Sequence, residues 1–230
     1  MAEFDAYRDS YRDEVGRSLE GTGVSSDFVV RLKAERLKAI CADHFGARDD
    51  LAALDFGCGV GVYHPHLTGA FTALQGVDVS AECLDVAKAS HPWASYSAYD
   101  GRRLPFPDAS FDVAFAITVF HHVPPEHWEE SAADIARVLR PGGLFVIFEH
   151  NPWNPATRWV VSRCEFDQDA VLLSHRTAER LMRAAGLAPV TSRHILTAPL
   201  DMGWARTVDG WFEGAPLGAQ YLTMGAKAAP

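Results

Sequence analysis

The run Leu51-Ala52-Ala53-Leu54-Asp55-Phe56-Gly57-Cys58-Gly59-Val60-Gly61 places an apolar stretch before an acid, then three glycines at alternate positions. No other segment constrains the fold as strongly. A short apolar run bounded by turn signals reads as a buried strand. Glycines are required where backbone turns tightly or approaches a ligand closely. The helical pattern beyond them offers free N–H groups and the positive end of a dipole. A second stretch, Gln75-Gly76-Val77-Asp78-Val79, carries its own acid at Asp78. A carboxylate there can accept hydrogen bonds from a ribose diol. Together the two stretches describe a pocket for a nucleoside-bearing cofactor.

Spacing narrows the cofactor. A dinucleotide fingerprint, G-x-G-x-x-G, needs its third glycine at position 62. That position is Val62, and the third glycine is Gly61. Asp55 would repel a pyrophosphate but suits an amino or sulfonium cation. The D-x-G-x-G-x-G pattern resembles motif I of class I S-adenosylmethionine-dependent methyltransferases. Three later segments extend the resemblance: Tyr99-Asp100-Gly101 with Leu104-Pro105-Phe106, Ser110-Phe111-Asp112-Val113-Ala114-Phe115, and Leu139-Arg140-Pro141-Gly142-Gly143-Leu144.

The resemblance covers residues 50–150 closely. It implies S-adenosyl-L-methionine as cofactor and assigns roles by position. Asp55, Phe56, Gly57, Cys58, Gly59 and Gly61 form the loop at the methionine end, with Phe56 and Cys58 serving packing. Asp78 holds the ribose hydroxyls, Val79 touches adenine, and Asp100 accepts from the adenine amino group beside Gly101. Ile117 and Thr118, ending the fourth strand, approach the methionine moiety. Tyr7 and Tyr11, four apart on one helical face, close an N-terminal helix over the cofactor, where aromatic rings suit a sulfonium.

Strand and helix patterns alternate from residue 48 onward, which implies an α/β fold. The expectation is a Rossmann-like, mainly parallel seven-stranded sheet, helices on both faces, ending in an antiparallel hairpin. Strands are predicted near 51–56, 74–79, 94–99, 111–117, 144–149, 188–198 and 217–227. Helices are predicted near 62–72, 81–90, 126–139 and 155–163, with Asp27 and Ser174 as caps of two more. The organisation reads as a helical cap or lid over 1–47 and a cofactor-binding core over 48–150. A substrate or lid insert over 151–174 and the rest of the same domain over 175–230 follow.

Candidate chemistry clusters after the fourth and fifth strands. His121 and His122 sit at the mouth of the expected cleft, and histidine is the commonest general base near neutral pH. Glu149, Asn151 and Asn154 read as further catalytic candidates, since polar groups after a buried strand are costly unless used. His150, Trp153, Arg158 and Tyr221 read as substrate contacts. A metal reading of His121, His122 and His127 lacks an acid-rich partner set, so no metal is expected.

The formal charge of −9 argues against nucleic acid and anionic membranes as partners. No apolar stretch reaches membrane-spanning length, and Cys41, Cys58, Cys83 and Cys164 are too scattered for a zinc site or disulfide framework. A cytoplasmic monomer or homodimer acting on an O or N atom of a small molecule is the expectation. Two rivals share the cofactor: an azetidine-type cyclase that releases methylthioadenosine, and a non-catalytic binding partner.

Overall fold

The computed structural model describes residues 16–167, 169–198, 207 and 210–229. Tyr7 and Tyr11 lie outside these residues. The strands are β1 (Ala52–Phe56), β2 (Ala73–Asp78), β3 (Ser95–Ala98), β4 (Phe111–Ile117), β5 (Leu139–His150), β6 (Leu187–Ile195) and β7 (Gln220–Lys227). They form one seven-stranded sheet in the order β3-β2-β1-β4-β5-β7-β6. β1 to β5 run parallel, and β7 pairs antiparallel with both β5 and β6.

All seven residues of β4 are buried, as a strand covered on both faces requires. Alternation along the central strands then sorts side chains into two cores. Ala114, Ala116, Phe145 and Ile147 face one side, packed against Trp128, Ile135, Leu181 and Met182. Val113, Phe115, Val146 and Phe148 face the other, packed against Phe28, Leu32 and Leu37. The helices are α1 (Ser26–Phe45), α2 (His64–Leu67), α3 (Ala81–Ser90), α4 (Trp128–Val138), α5 (Pro155–Val161) and α6 (His175–Ala184). Among the described residues, no helix is long and apolar enough to cross a membrane.

Four local readings need correction. The helix expected over 62–72 is the single turn α2, bounded by Pro65 in its first turn and by Gly69 at φ 74°. The cap of α1 is Ser25, whose Oγ accepts from Phe28 N, while Asp27 pairs with Arg31 at 3.2 Å. α4 begins at Trp128, after a 3-10 turn over Pro125–His127. The strand expected near 144–149 starts earlier, at Leu139, and the register shift between Phe111 and Val113 absorbs its extra residues Arg140-Pro141-Gly142-Gly143.

The strand order reverses between β1 and β4. At such a switch point the loops leave in opposite directions and open a crevice beyond the carboxyl ends. Gly57 makes the crevice possible. It sits at φ 74°, and a Cβ there would lie 2.4 Å from Val119 Cγ1. Gly57→Ala is therefore expected to destabilise the fold by more than about 2 kcal/mol, combining left-handed strain with overpacking. The urea midpoint checks this, and a change under about 0.5 kcal/mol would contradict it.

Candidate functional site

Two neighbouring cavities open at the switch point. The smaller, about 240 Å³, lies over the ends of β1, β2 and β4. Asp78, the last residue of β2, shapes it. Its Oδ2 accepts from Gly59 N at 2.8 Å and its Oδ1 from Ser80 N at 2.9 Å. Those bonds lock the glycine loop to β2. Burial raises the Asp78 carboxyl above its usual value, although the Ser80 and Gly59 amides oppose the shift. Asp55 enters from β1, and its Oδ2 lies 2.9 Å from His64 Nε2. His64 Nδ1 in turn meets the Tyr96 hydroxyl at 2.7 Å. Burial raises the Asp55 carboxyl, partly offset by His64. This buried chain anchors the acid beneath the loop.

Asp55, Gly57, Cys58, Gly59, Asp78, Val79, Gly101, Ile117 and Thr118 all line this cavity. Three residues do not. Phe56 turns away and packs on Tyr99 and Phe120, with ring centroids at 5.9 and 5.8 Å. Gly61 allows close packing, since a Cβ there would lie 2.9 Å from both His64 Nδ1 and His91 Cδ2. Asp100 is exposed, and its Oδ1 accepts from the amides of Arg102 and Arg103, leaving Tyr99 and Gly101 to form the wall.

The larger cavity, about 490 Å³, lies beside the first. Val62, Tyr63, Thr118 and His122 line both. Thr118 holds φ 56°, an uncommon conformation for a β-branched residue. Its amide is fixed by a 2.8 Å bond to Phe148 O. The far walls mix apolar and polar groups: Val24, Val29 and Val30 with Ser18, Thr22, Ser26 and Asp27 from the N-terminal side, and Val160 with Thr157 from α5. One side gathers buried and half-buried polar groups: Lys33, His121, His150, Asp167 and Gln220.

Glu149 organises that side from below. It is fully buried, and its Oε1 accepts from Val119 N at 3.0 Å and Phe120 N at 2.8 Å. Its Oε2 lies 2.7 Å from His121 Nδ1. Asp167 Oδ1 approaches from the insert, 3.5 Å from His121 Nε2 and 3.3 Å from His122 Nε2. Burial alone would lower the His121 imidazole, but the flanking Glu149 and Asp167 carboxylates outweigh it and hold it at about 9. Burial would raise Glu149, yet His121 outweighs it and brings it to about 2. Asp167 is likewise held well below the carboxylate range. His122 is lowered by burial despite Asp167, and His150 is lowered to about 3 by burial and the His121 charge.

Several candidates have structural roles instead. Glu149 does not line either cavity and acts through His121 and the loop amides. Asn151 is fully buried, donates to Pro216 O and Gly218 O, and accepts from Trp153 N. Asn154 caps α5 and donates to Leu217 O. Tyr221 lies in the core and donates to Leu173 O at 2.7 Å. Trp153 and Arg158 are exposed and line neither cavity; Trp153 packs edge-on against His175.

Lys33, Tyr63, His64 and Asp167 were not foreseen. Lys33 is 2 % exposed, its Nζ lies 3.4 Å from the Tyr63 hydroxyl, and burial lowers it to about 7 against the pull of Glu149. A lysine in register with Val30 and Leu37 on the buried stripe of α1 was the available signal.

The seven-stranded sheet with its antiparallel end is the fold of solved methyltransferases. Residues 54–147, about two fifths of the chain, match the family model described as a methyltransferase domain. A demethylmenaquinone methyltransferase of Streptomyces griseus is 30% identical over 62% of this chain and 64% of its own. A phthiotriol/phenolphthiotriol dimycocerosates methyltransferase of Mycobacterium tuberculosis is 32% identical over 46% of this chain and 40% of its own. The chain thus spans less than two thirds of either relative. The crystal structure of a methyltransferase from Thermotoga maritima, described as a possible histamine N-methyltransferase, superposes with a TM-score of 0.70. It is 18% identical, with 97% of this chain and 98% of that one covered.

Proposed function

We propose that the protein transfers a methyl group from S-adenosyl-L-methionine to an oxygen or nitrogen atom of a small, mostly apolar molecule. The single observation that carries this reading is the pair of cavities meeting at Val62, Tyr63, Thr118 and His122. The smaller one suits the cofactor, with Asp78 for the ribose hydroxyls and Asp55 with the glycine loop at the cationic methionine end. The larger one suits an acceptor. A methyl group can pass between them only at the shared wall.

The transfer balances simply. The S–CH₃ bond breaks and its electron pair stays on sulfur. A lone pair of the acceptor atom forms the new bond to carbon, and the acceptor proton leaves to a base. Among the residues of the shared wall, His122 carries the side chain suited to that task. Most of the rate enhancement asked of the protein is orientation, by holding both partners at one opening. A separate 490 Å³ chamber favours a second molecule over self-alkylation of the cofactor. The net charge of −9 favours a small molecule over a nucleic acid.

Calorimetry with S-adenosylhomocysteine tests the first half of this reading. The wild type is expected to bind it and to ignore NAD. Asp78→Ala removes a charged acceptor and is expected to weaken binding by roughly 10- to 150-fold. Binding also needs Asp78 ionised, so affinity falls as pH falls through its raised pKa. The fall begins at higher pH than for an exposed carboxylate. Absence of wild-type binding would remove the reading.

A further inference from the structure

We propose that His121, His150 and Asp167 form a binding site for one divalent first-row transition-metal ion in the wall of the larger cavity. The role assigned to that ion rests on the reading of this cavity as the acceptor site. One ligand atom from each of the three residues lies within 4.8 Å of the others. Two imidazoles and one carboxylate suit iron, cobalt, manganese or zinc, not the all-oxygen preference of magnesium or calcium.

The short-range geometry favours an ion over hydrogen bonds. Asp167 Oδ1 lies 3.5 Å from His121 Nε2 and 3.3 Å from His122 Nε2, and neither contact has hydrogen-bond geometry, so this buried oxygen is left without a well-formed bond. Buried carboxylate oxygens are rarely left so. Ligand bonds of about 2.0–2.2 Å at angles of about 90–110° set neighbouring donors about 3.0–3.5 Å apart. The observed gap has that width. It is too long for a good hydrogen bond.

The surroundings are those of a supported ligand set. Glu149 Oε2 holds His121 Nδ1 at 2.7 Å, which leaves Nε2 as the donor atom, the usual carboxylate–histidine–metal order. Gln220 Nε2 lies 3.3 Å from His150 Nδ1, and Gln220 Oε1 is buried without a partner. Turning that amide over lets Oε1 accept from Nδ1–H and orients the second imidazole. All three ligands line the cavity, so the remaining coordination positions face the acceptor. An acceptor hydroxyl bound there would be held and acidified beside His122, whose ring centroid is 4.0 Å from that of His121.

The test uses the full chain without an affinity tag, stripped with chelator and titrated with Co²⁺. The expected result is one Co²⁺ per chain with a ligand-field absorption band that Zn²⁺ displaces. His150→Ala and Asp167→Ala are each expected to weaken Co²⁺ binding about 10-fold or more. Both should keep wild-type affinity for S-adenosylhomocysteine, because neither residue lines the smaller cavity. That affinity also reports folding, and His150→Gln and Asp167→Asn replace any variant that loses it. Two results would overturn the site: no Co²⁺ binding by a wild type that still binds S-adenosylhomocysteine, or equal binding by wild type and variants. Failure to bind S-adenosylhomocysteine would strike at the methyltransferase reading instead.

Discussion

Glu149→Ala is expected to lower the free energy of unfolding by about 3–5 kcal/mol, as loss of one partner of a buried ion pair does. The carboxylate is fully buried and serves four donors at once: Val119 N, Phe120 N, His150 N and His121 Nδ1. Its removal leaves three amides without this acceptor and an imidazolium with only the more distant Asp167. Each orphaned amide adds a desolvation cost. Glu149→Gln keeps the shape and one acceptor but loses the charge, so a smaller loss is expected. A His121→Leu/Glu149→Leu double substitution removes both charges and should recover part of the stability. Urea denaturation at unchanged m checks the series. A loss below about 1 kcal/mol for Glu149→Ala would show that the pair contributes little.

His122→Ala is expected to lower kcat by about 10²- to 10⁴-fold, the usual contribution of a positioned base. The side chain belongs to the wall between the two chambers, where the acceptor atom must lie when the methyl group passes. Affinity for S-adenosylhomocysteine should change far less, because Asp78, Asp55 and the glycine loop remain. Turnover is read as S-adenosylhomocysteine released with small hydroxylated or amino-bearing acceptors, first screened on the wild type. An unchanged kcat would remove His122 from the proton transfer and leave orientation as the protein's whole contribution.

The lining of the smaller cavity was legible because its signals are local. Glycines 57 and 59, Asp55 and Asp78 each follow an apolar run that can only be a strand, and strand ends share one rim. The larger cavity draws on positions far apart in the chain. Lys33 comes from α1, Tyr63 from the residue before α2, and Asp167 from the 3-10 turn over Glu165–Asp167. Nothing nearby in sequence marks Asp167. Asn151 and Asn154 misled for a related reason. The expectation that polar groups after a buried strand must be used was sound, but they hold backbone 63 to 67 residues away. Tyr221 pairs in register with Glu149 on β5, which looks like proximity to a site until its hydroxyl is found bonded within the core. The sheet itself matched expectation because burial on two faces leaves long apolar runs, whereas α2 shrank where Pro65 and Gly69 stand close together.

The common wall of the two chambers has a thermodynamic consequence. Val62 and Tyr63 follow directly on the glycine loop, Thr118 directly on β4, and His122 ends the 3-10 turn that comes next. A guest in either chamber presses on the same four residues. Their occupancies are therefore linked, and whatever factor one guest imposes on the affinity of the other is returned in equal measure.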